Sequence, residues 1–228
     1  MRIIEDIISN GHGWLDASYI VIHETANPGA TAKNHVDYWS RDDTYAVHYV
    51  GDWTGDVYHC VPDDRLCWQV GNGNPYVIGI ELCHATNQED FERVWNVGVD
   101  WAAMMLDRYG WSIDRLISHA DCSNWWGGSD HQDPISYFED FGKSWSQFKE
   151  EVAERLEDDM TDEQIALLAQ KIAEANAGYA YGNDKKAAFG VRGKGNATRN
   201  NYNVFRWIQD LLVSIDAKMD RIVKKLGA

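Results

Sequence analysis

Basic side chains are scarce in this sequence of 228 residues, which has 21 lysines and arginines against 36 aspartates and glutamates. The formal net charge is −15 at pH 7. A protein that binds nucleic acid needs a basic face to neutralise phosphates, so this composition argues against a nucleic-acid partner. The charge sets no comparable limit on an uncharged or zwitterionic ligand.

Long hydrophobic runs are absent as well. No apolar segment approaches the roughly 20 residues that a membrane-spanning helix requires. The first residues, MRIIEDIISNGHGW, lack the basic start, long apolar stretch and small-residue cleavage site of a signal peptide. We therefore expect no stable membrane insertion and no signal peptide, and we expect the protein to be made and first kept in the cytoplasm.

Paired cysteine motifs are missing too. None of the four cysteines forms a CxxC pair: Cys60, Cys67, Cys83 and Cys122. In a cytoplasmic protein such cysteines are expected to be free and to behave as small hydrophobic residues. The HExxH helix of many zinc peptidases is also absent, which weakens the hypothesis of a peptidase that cuts within a peptide.

Aromatic residues, by contrast, are abundant, with 11 tryptophans and 11 tyrosines. This density suits a partly exposed groove that stacks on sugar or peptide, although many of these rings also suit a core. Hydrophobic residues make up 44% and charged residues 25%, which is ordinary for a globular protein.

The composition changes near residue 157. Residues 1–157 hold all eight histidines together with 27 acidic and 10 basic residues, whereas residues 158–228 hold 9 acidic and 11 basic residues. We interpret residues 1–157 as one domain and residues 158–228 as a small helical C-terminal region.

Short apolar runs in the first part predict β-strands. Helical spacing of apolar residues predicts a helix over 90–109 that ends at Gly110, and a closing helix over about 144–156. The alternation predicts an α/β domain with a mixed central sheet flanked by helices. The predicted strands are 19–25, 44–51, 55–61, 76–83 and 115–121.

Two predicted strands end in histidines, His23 and His119, and open sheets place their sites at strand ends. A lone histidine there is also consistent with a core imidazole bonded to a backbone carbonyl. A catalytic zinc site needs three protein ligands and an open position for water. An extended strand would turn Cys122 away from His119, whereas the loop that follows can bring Asp133 back. The candidates for the third ligand are Cys122, Asp130, His131 and Asp133.

Five segments, in this order, resemble a known family: VIHETANPGATAKNH, YAVHYVGDWTGDVYHCVPDDRLCWQVGNGN, IGIELC, SHADC and HQDP. They are similar to the zinc-dependent N-acetylmuramoyl-L-alanine amidases of the type-2 amidase family, which are related to phage lysozyme-like amidases and to peptidoglycan recognition proteins. The resemblance covers about residues 15–140. It implies cleavage of the amide between the lactyl group of N-acetylmuramic acid and L-alanine of the stem peptide in bacterial peptidoglycan.

The resemblance also implies roles for individual residues. It places Zn²⁺ ligands at His23, His119 and Asp133, and the general base at Glu81. The simpler interpretation of Glu81 is a strand-end carboxylate that is paired or solvated. A carboxylate at this position can take a proton from the attacking water and pass it to the leaving amine.

The sequence departs from the family pattern at the last motif. The usual Lys-x-(Cys/Asp)-Pro has become His131-Gln132-Asp133-Pro134. The resemblance therefore implies that His131 takes the place of the lysine that holds the oxyanion. The charge of a histidine in this role depends on pH.

A second departure lies at Trp68-Gln69, where the family often has Trp-His and the histidine is thought to touch substrate. We expect substrate contacts from Trp68, Gln69 and Thr25. His48 occupies a family-typical position and is a further candidate, although alternation also allows it a place in the cleft wall.

The C-terminal region has patterns of its own. The segment 160–176 predicts a helix with a capping box at Thr161 and Gln164. Apolar residues at heptad spacing over 202–226 predict a short coiled coil and hence a homo-oligomer. A helix packed within the chain is the alternative, and the region is also a candidate for targeting to the cell wall.

These patterns lead us to expect a lytic peptidoglycan amidase, a phage endolysin that stays in the host cytoplasm until it is released to the wall. Two alternatives stay open: a relative that keeps the fold but only binds peptidoglycan, and a cytosolic amidase that recycles soluble muropeptides.

Overall fold

The computed structural model describes residues 1–158. The predictions for the C-terminal region, including the helix over 160–176 and the coiled coil over 202–226, lie outside the described residues.

The described residues form one six-stranded mixed sheet. Its strands are β1 (Arg2–Glu5), β2 (Tyr19–Glu24), β3 (Tyr49–Gly51), β4 (Asp56–His59), β5 (Val77–Leu82) and β6 (Leu116–Ser118). Their order across the sheet is β1-β4-β3-β5-β2-β6. Neighbouring strands are parallel except β3 and β4, which are antiparallel. The prediction of a mixed α/β sheet is confirmed.

Helices cover both faces of this sheet. They are α1 (Ala32–Trp39), α2 (Gln88–Tyr109), α3 (His119–Trp126), α4 (Ile135–Asp140) and α5 (Trp145–Asp158). Helix α2 ends at Gly110, as its sequence predicts. Within residues 1–158, none of the helices has the length and apolar character needed to cross a bilayer.

Side-chain alternation along the strands divides the core between the two faces. On one face, Ile20, Ile22 and Ile80 pack with the aromatic residues of α2 and α5. On the other face, Val50 packs with α1 and Val21 packs beside α3. The face that carries α1 and α3 is also the face that carries the site described below.

All five predicted strands are shorter than expected, and two of the differences bear on the site. Residues 44–48 form no strand, so β3 begins only at Tyr49, and β6 ends at Ser118 rather than at residue 121. Ser118 is the N-cap of α3: its side chain accepts a hydrogen bond from Asp121 N at 3.0 Å, and Asp121 Oδ2 accepts one from Ser118 N at 2.8 Å. This reciprocal capping box starts a helix where the apolar run had predicted more strand.

Four of the helices and strands above were not predicted, namely β1, α1, α3 and α4. Helix α1 has only eight residues, too few for a clear helical period, and its buried apolar positions reduce to Ala32, Val36 and Trp39. Its start is set by Thr31, whose side chain accepts from Asn34 N while the Asn34 side chain accepts from Thr31 N. Asparagine in place of the usual glutamate or glutamine hides this capping box in the sequence.

Candidate active site

The carboxyl ends of three adjacent parallel strands bring the predicted residues together. His23 in β2 is the register partner of Glu81 in β5. On the other side of β2, strand β6 passes directly into α3, whose first residue is His119. The topology therefore gathers side chains that are far apart in the sequence at one edge of the sheet.

Asp133 reaches this edge through the loop that follows α3. Gly127 and Gly128 both have positive φ, +67° and +79°, and they reverse the chain in a conformation that favours glycine. Ala120 N then donates to the backbone oxygen of Asp133 at 3.3 Å. This contact fixes the returning loop to the first turn of α3, beside His119.

His23, His119 and Asp133 form a compact donor cluster. Asp133 Oδ2 lies 3.2 Å from His23 Nδ1, and Asp133 Oδ1 lies 3.0 Å from His119 Nδ1. One ligand atom from each residue lies within 4.8 Å of the others, a spacing that can hold a metal ion. Both histidines are buried, and Glu24 N donates to Asp133 Oδ2 at 3.2 Å.

The polar atoms of the cluster are not satisfied by the protein alone. His23 Nε2 and His119 Nδ1 are buried without a hydrogen-bond partner. His119 Nε2 lies 3.0 Å from Ser129 Oγ, so a proton on Nε2 would leave Nδ1 free to bind a metal ion beside the Asp133 carboxylate. Two imidazoles and a carboxylate are a donor set that Zn²⁺ accepts.

The electrostatics of the cluster agree with this interpretation. Burial alone would raise the pKa of Asp133, but the neighbouring His119 and His23 hold it well below its usual range. Burial lowers the pKa of His23 despite the adjacent Asp133. An ionised carboxylate beside a neutral imidazole is the protonation state that metal binding requires.

The other candidates for a third ligand lie elsewhere. Cys122 is fully buried in an apolar cluster with Val21 and Val70, and Asp130 is exposed. Residues 119–126 are helical, and this helix places Cys122 in the apolar cluster rather than in the donor cluster. The extended strand assumed for Cys122 was wrong. Asp121 caps α3 rather than orienting His119.

Glu81 stands beside the cluster, and no basic side chain of residues 1–158 pairs with it. Its Oε2 atom is buried and has no hydrogen-bond partner. Burial raises its pKa well above the usual range, and the carboxylates of Asp133 and Glu24 raise it further. Oε2 does not match the simpler interpretation of Glu81 as a paired residue, and a strongly raised pKa beside a groove is characteristic of groups at functional sites.

A groove of about 400 Å³ opens beside Glu81. Thr25 lines it, as does Glu81 itself, and Thr25 Oγ1 also accepts a hydrogen bond from His84 N at 3.1 Å. The other lining residues were missed by sequence reasoning, because most of them belong to the unpredicted helix α1 or its surroundings. They are Asn27, Asn34, His35, Tyr38, Trp39 and Tyr45.

His131 lies at the outer margin of the donor cluster. Its ring centroid is 4.9 Å from that of His119, and its Nδ1 is 3.8 Å from Asp133 Oδ1. The ring is largely exposed, so it is accessible to a ligand. Its backbone oxygen accepts a hydrogen bond from Ser123 Oγ at 2.9 Å, which fixes the loop that presents it.

His48 requires a correction. Its exposed fraction is 0%, so it has no surface to offer a substrate. Its Nε2 lies 2.8 Å from Arg65 O, and its Nδ1 accepts from Gly79 N at 3.1 Å. Burial lowers its pKa to about 4. His48 is a neutral imidazole that joins three backbone segments, and it holds the sheet and the 65–69 segment in place.

The side chain of Gln69 packs on the sheet, whereas that of Trp68 is exposed. The Gln69 side chain lies across Gly79 and approaches His48 Nδ1 at 3.4 Å, and a Cβ on Gly79 would lie 2.0 Å from its Oε1. Gly79 therefore has to be glycine for Gln69 to occupy this place. Trp68 is 47% exposed and stacks on His12, with ring centroids 3.9 Å apart.

Three side chains that could hold a metal ion, with a carboxylate next to them, are an arrangement found in metal-dependent hydrolases. Sequence comparison then identifies the family. The N-acetylmuramoyl-L-alanine amidase family, Amidase_2, matches residues 13–136, more than half of the chain, and the chain belongs to this family.

Individual relatives agree with this assignment. The bifunctional autolysin of Staphylococcus aureus is 33% identical over 147 residues, which cover 60% of this chain and 12% of the autolysin. The chain thus spans about an eighth of the length of these relatives.

Solved structures are similar over longer shares of their own chains. The Staphylococcus aureus hydrolase AmiA, solved with its ligand, is 29% identical with a TM-score of 0.64 over 68% of this chain and 83% of that one. A mutant endolysin from Bacillus subtilis is 26% identical with a TM-score of 0.56 over 66% of this chain and 98% of that one.

Proposed function

We propose that this protein is a zinc-dependent N-acetylmuramoyl-L-alanine amidase that cuts the bond between the lactyl group of N-acetylmuramic acid and the L-alanine of the stem peptide. The observation that supports it best is the buried cluster of His23, His119 and Asp133 with the unpaired carboxylate of Glu81 beside it. Membership of the amidase family supports the substrate.

In this proposal His23, His119 and Asp133 hold Zn²⁺. When bound, Zn²⁺ supplies a Lewis acid that makes a water easier to deprotonate and polarises the scissile carbonyl. Glu81 takes a proton from the attacking water and later delivers it to the nitrogen of the departing L-alanine. The raised pKa of Glu81 suits a group that must hold that proton between the two steps.

His131 donates a hydrogen bond to the oxyanion that develops on the carbonyl. Its exposed ring, close to Asp133 and His119, supports this role, because a donor must reach substrate and lie near the metal ligands at once. His131 would thereby do the work of the lysine that stands two residues before the third ligand elsewhere in the family.

The biological role in this proposal is lysis of the bacterial wall, as a phage endolysin held in the host cytoplasm until release. Relatives described as an autolysin and an endolysin support it. The competing hypothesis of a module that only binds peptidoglycan is disfavoured, because three potential ligands are brought together and Glu81 Oε2 has no hydrogen-bond partner within residues 1–158.

The test is digestion of purified walls from several bacteria, with and without a chelator, followed by mass spectrometry of the new termini. A free amino group on L-alanine together with an intact lactyl ether is the expected product. New termini inside the stem peptide would identify a peptidase instead. Binding without cleavage would identify a recognition module.

A further inference from the structure

Exposed aromatic residues lie on a short paired lip next to the groove. Residues 11–15 and 64–68 run antiparallel and are joined by three backbone hydrogen bonds of 2.7 to 2.9 Å, with Trp14 opposite Arg65. Paired backbones hold the side chains of this lip in defined places. We call its four outward groups the aromatic rim: His12, Trp14, Arg65 and Trp68.

The two indoles of the aromatic rim are exposed but fixed. Trp14 is 74% exposed, and the Arg65 guanidinium carbon lies 3.8 Å from the centre of its ring. Trp68 stacks on His12 with an interplanar angle of 14°, and His12 Nε2 lies 3.1 Å from Thr44 O. Apolar surface that is held rigid and left open to solvent is typical of a binding site.

The aromatic rim is continuous with the proposed active site in two places. His12 contacts the backbone of Thr44, and the next residue, Tyr45, lines the groove. Gln69, which follows Trp68, covers Gly79 on the same face of β5 that carries Glu81, about 7 Å further along the strand. The groove beside Glu81 and the aromatic rim are therefore linked through two short segments of chain, Thr44-Tyr45 and Trp68-Gln69.

The substrate of the proposed amidase also has two arms that diverge from the scissile amide, a peptide and a glycan. The groove presents the amides of Asn27 and Asn34 and the hydroxyl of Thr25, which match the hydrogen-bonding groups of a peptide. The aromatic rim presents flat indole faces, which match the C–H faces of pyranose rings. The donors of Arg65 and His12 suit the acetamido carbonyls between them.

We propose that the aromatic rim binds the glycan strand next to the muramic acid residue whose amide is cut, while the groove binds the stem peptide. This inference rests on the proposed amidase function. It assigns Trp14 a role in choosing polymeric glycan over single muropeptides, a role that requires no contact with the reacting atoms.

The experiment compares two soluble substrates with the same stem peptide, one attached to a single N-acetylmuramic acid and the other to a tetrasaccharide. With the full-length protein, Trp14→Ala should lower kcat/KM for the tetrasaccharide substrate about tenfold, chiefly through KM, and change it less than about twofold for the monosaccharide substrate. Trp14→Tyr keeps an aromatic face and should restore most of the loss.

Trp125→Ala is the matched control. Trp125 is 53% exposed, but it packs against Tyr19 at the start of β2, the opposite edge of the sheet from His23. This variant should leave both substrates unchanged. Thermal melts of all the variants should nearly coincide, because Trp14 and Trp125 are both more than half exposed.

A parallel titration with a peptide-free tetrasaccharide, followed by tryptophan fluorescence, separates the two proposals. The glycan site would be overturned, and the amidase left intact, if wild type cuts both substrates and Trp14→Ala has the same ratio of kcat/KM for the tetrasaccharide substrate to kcat/KM for the monosaccharide substrate. Wild type that cuts neither substrate, yet binds the free glycan through Trp14, would overturn the amidase and support the aromatic rim. An equal loss on both substrates would also overturn the glycan site.

Discussion

Replacing Glu81 with glutamine separates the chemical role of this carboxylate from its structural effect. Oε2 of Glu81 is buried without a partner and lies close to the carboxylates of Asp133 and Glu24. Burial, and then the neighbouring carboxylates of Asp133 and Glu24, make the charged form of Glu81 costly in the folded protein. Glutamine keeps the shape and removes this charge, so Glu81→Gln should raise the free energy of unfolding of the metal-free protein at pH 7 by about 1–2 kcal/mol.

The same change should nearly abolish activity. Glutamine cannot accept a proton from water, and loss of a general base lowers kcat by about 100-fold or more. The zinc content should stay at one per chain, because the proposed ligands His23, His119 and Asp133 are unchanged. A variant that is more stable, retains metal and is inactive is the expected combination.

Three measurements test the prediction for Glu81→Gln. They are urea unfolding of the metal-free protein at pH 7, atomic spectroscopy for zinc, and kcat on a soluble muropeptide. Glu150→Gln is the matched control, since Glu150 is exposed on α5 and should alter none of the three. Retained activity would remove Glu81 from the mechanism. A fall in stability would show that the carboxylate stabilises the fold and would refute the argument from its buried, repelled charge.

Three further predictions concern the same domain. Asp133→Ala should lose both zinc and lysis, measured by atomic spectroscopy and turbidity; retained stoichiometric zinc would move the third ligand elsewhere. His131→Ala should keep zinc but lower kcat about 100-fold, and His131→Lys should restore activity; equal activity of the alanine variant would exclude the oxyanion role. Burial alone would lower the pKa of His59, but Asp63 and Glu5 raise it, so its stabilising effect is full below about pH 6.5 and declines as pH rises through the folded-state pKa. Urea unfolding from pH 6 to 9 should therefore show the free energy of unfolding of wild type falling relative to that of His59→Gln, by about 1 kcal/mol or less. A difference in free energy that stays constant with pH would contradict the raised pKa.

The sequence was sufficient to predict much of the donor cluster. Polar side chains that interrupt buried strands are rare, and His23 and Glu81 both do so at the carboxyl end of a strand. Parallel pairing then makes them register partners without further information. His119 could be predicted for a similar reason, because it follows a short apolar run, although it begins a helix rather than ending a strand.

The choice of third ligand could not follow from spacing. Cys122 and Asp133 both lie within reach of His119 along the chain, and their separation depends on two local conformations. One is the capping box at Ser118, which turns the chain into a helix. The other is the pair of left-handed residues Gly127 and Gly128, which returns Asp133.

The groove and the buried position of His48 were beyond sequence reasoning for another reason. Helix α1 is too short to show a period, so its residues could not be assigned to one face. The ring of His48 is satisfied by backbone atoms of Arg65 and Gly79, and backbone partners leave no trace in the residue pattern. Alternation alone could not distinguish a wall of the cleft from a fully enclosed position.

The sequence distance between the proposed ligands has a consequence for the integrity of the domain. His23 and Asp133 are 110 residues apart, and their side chains meet at 3.2 Å. A cation held by both would close a chain loop of that length, as a covalent cross-link does, and loops of about 100 residues gain roughly 4–5 kcal/mol from such closure in the chain-entropy account. Cys60, Cys67, Cys83 and Cys122 are all free and provide no such link. The ion that serves hydrolysis would then also cross-link the chain, so that a shortage of zinc would lower the stability of the fold as well as the activity.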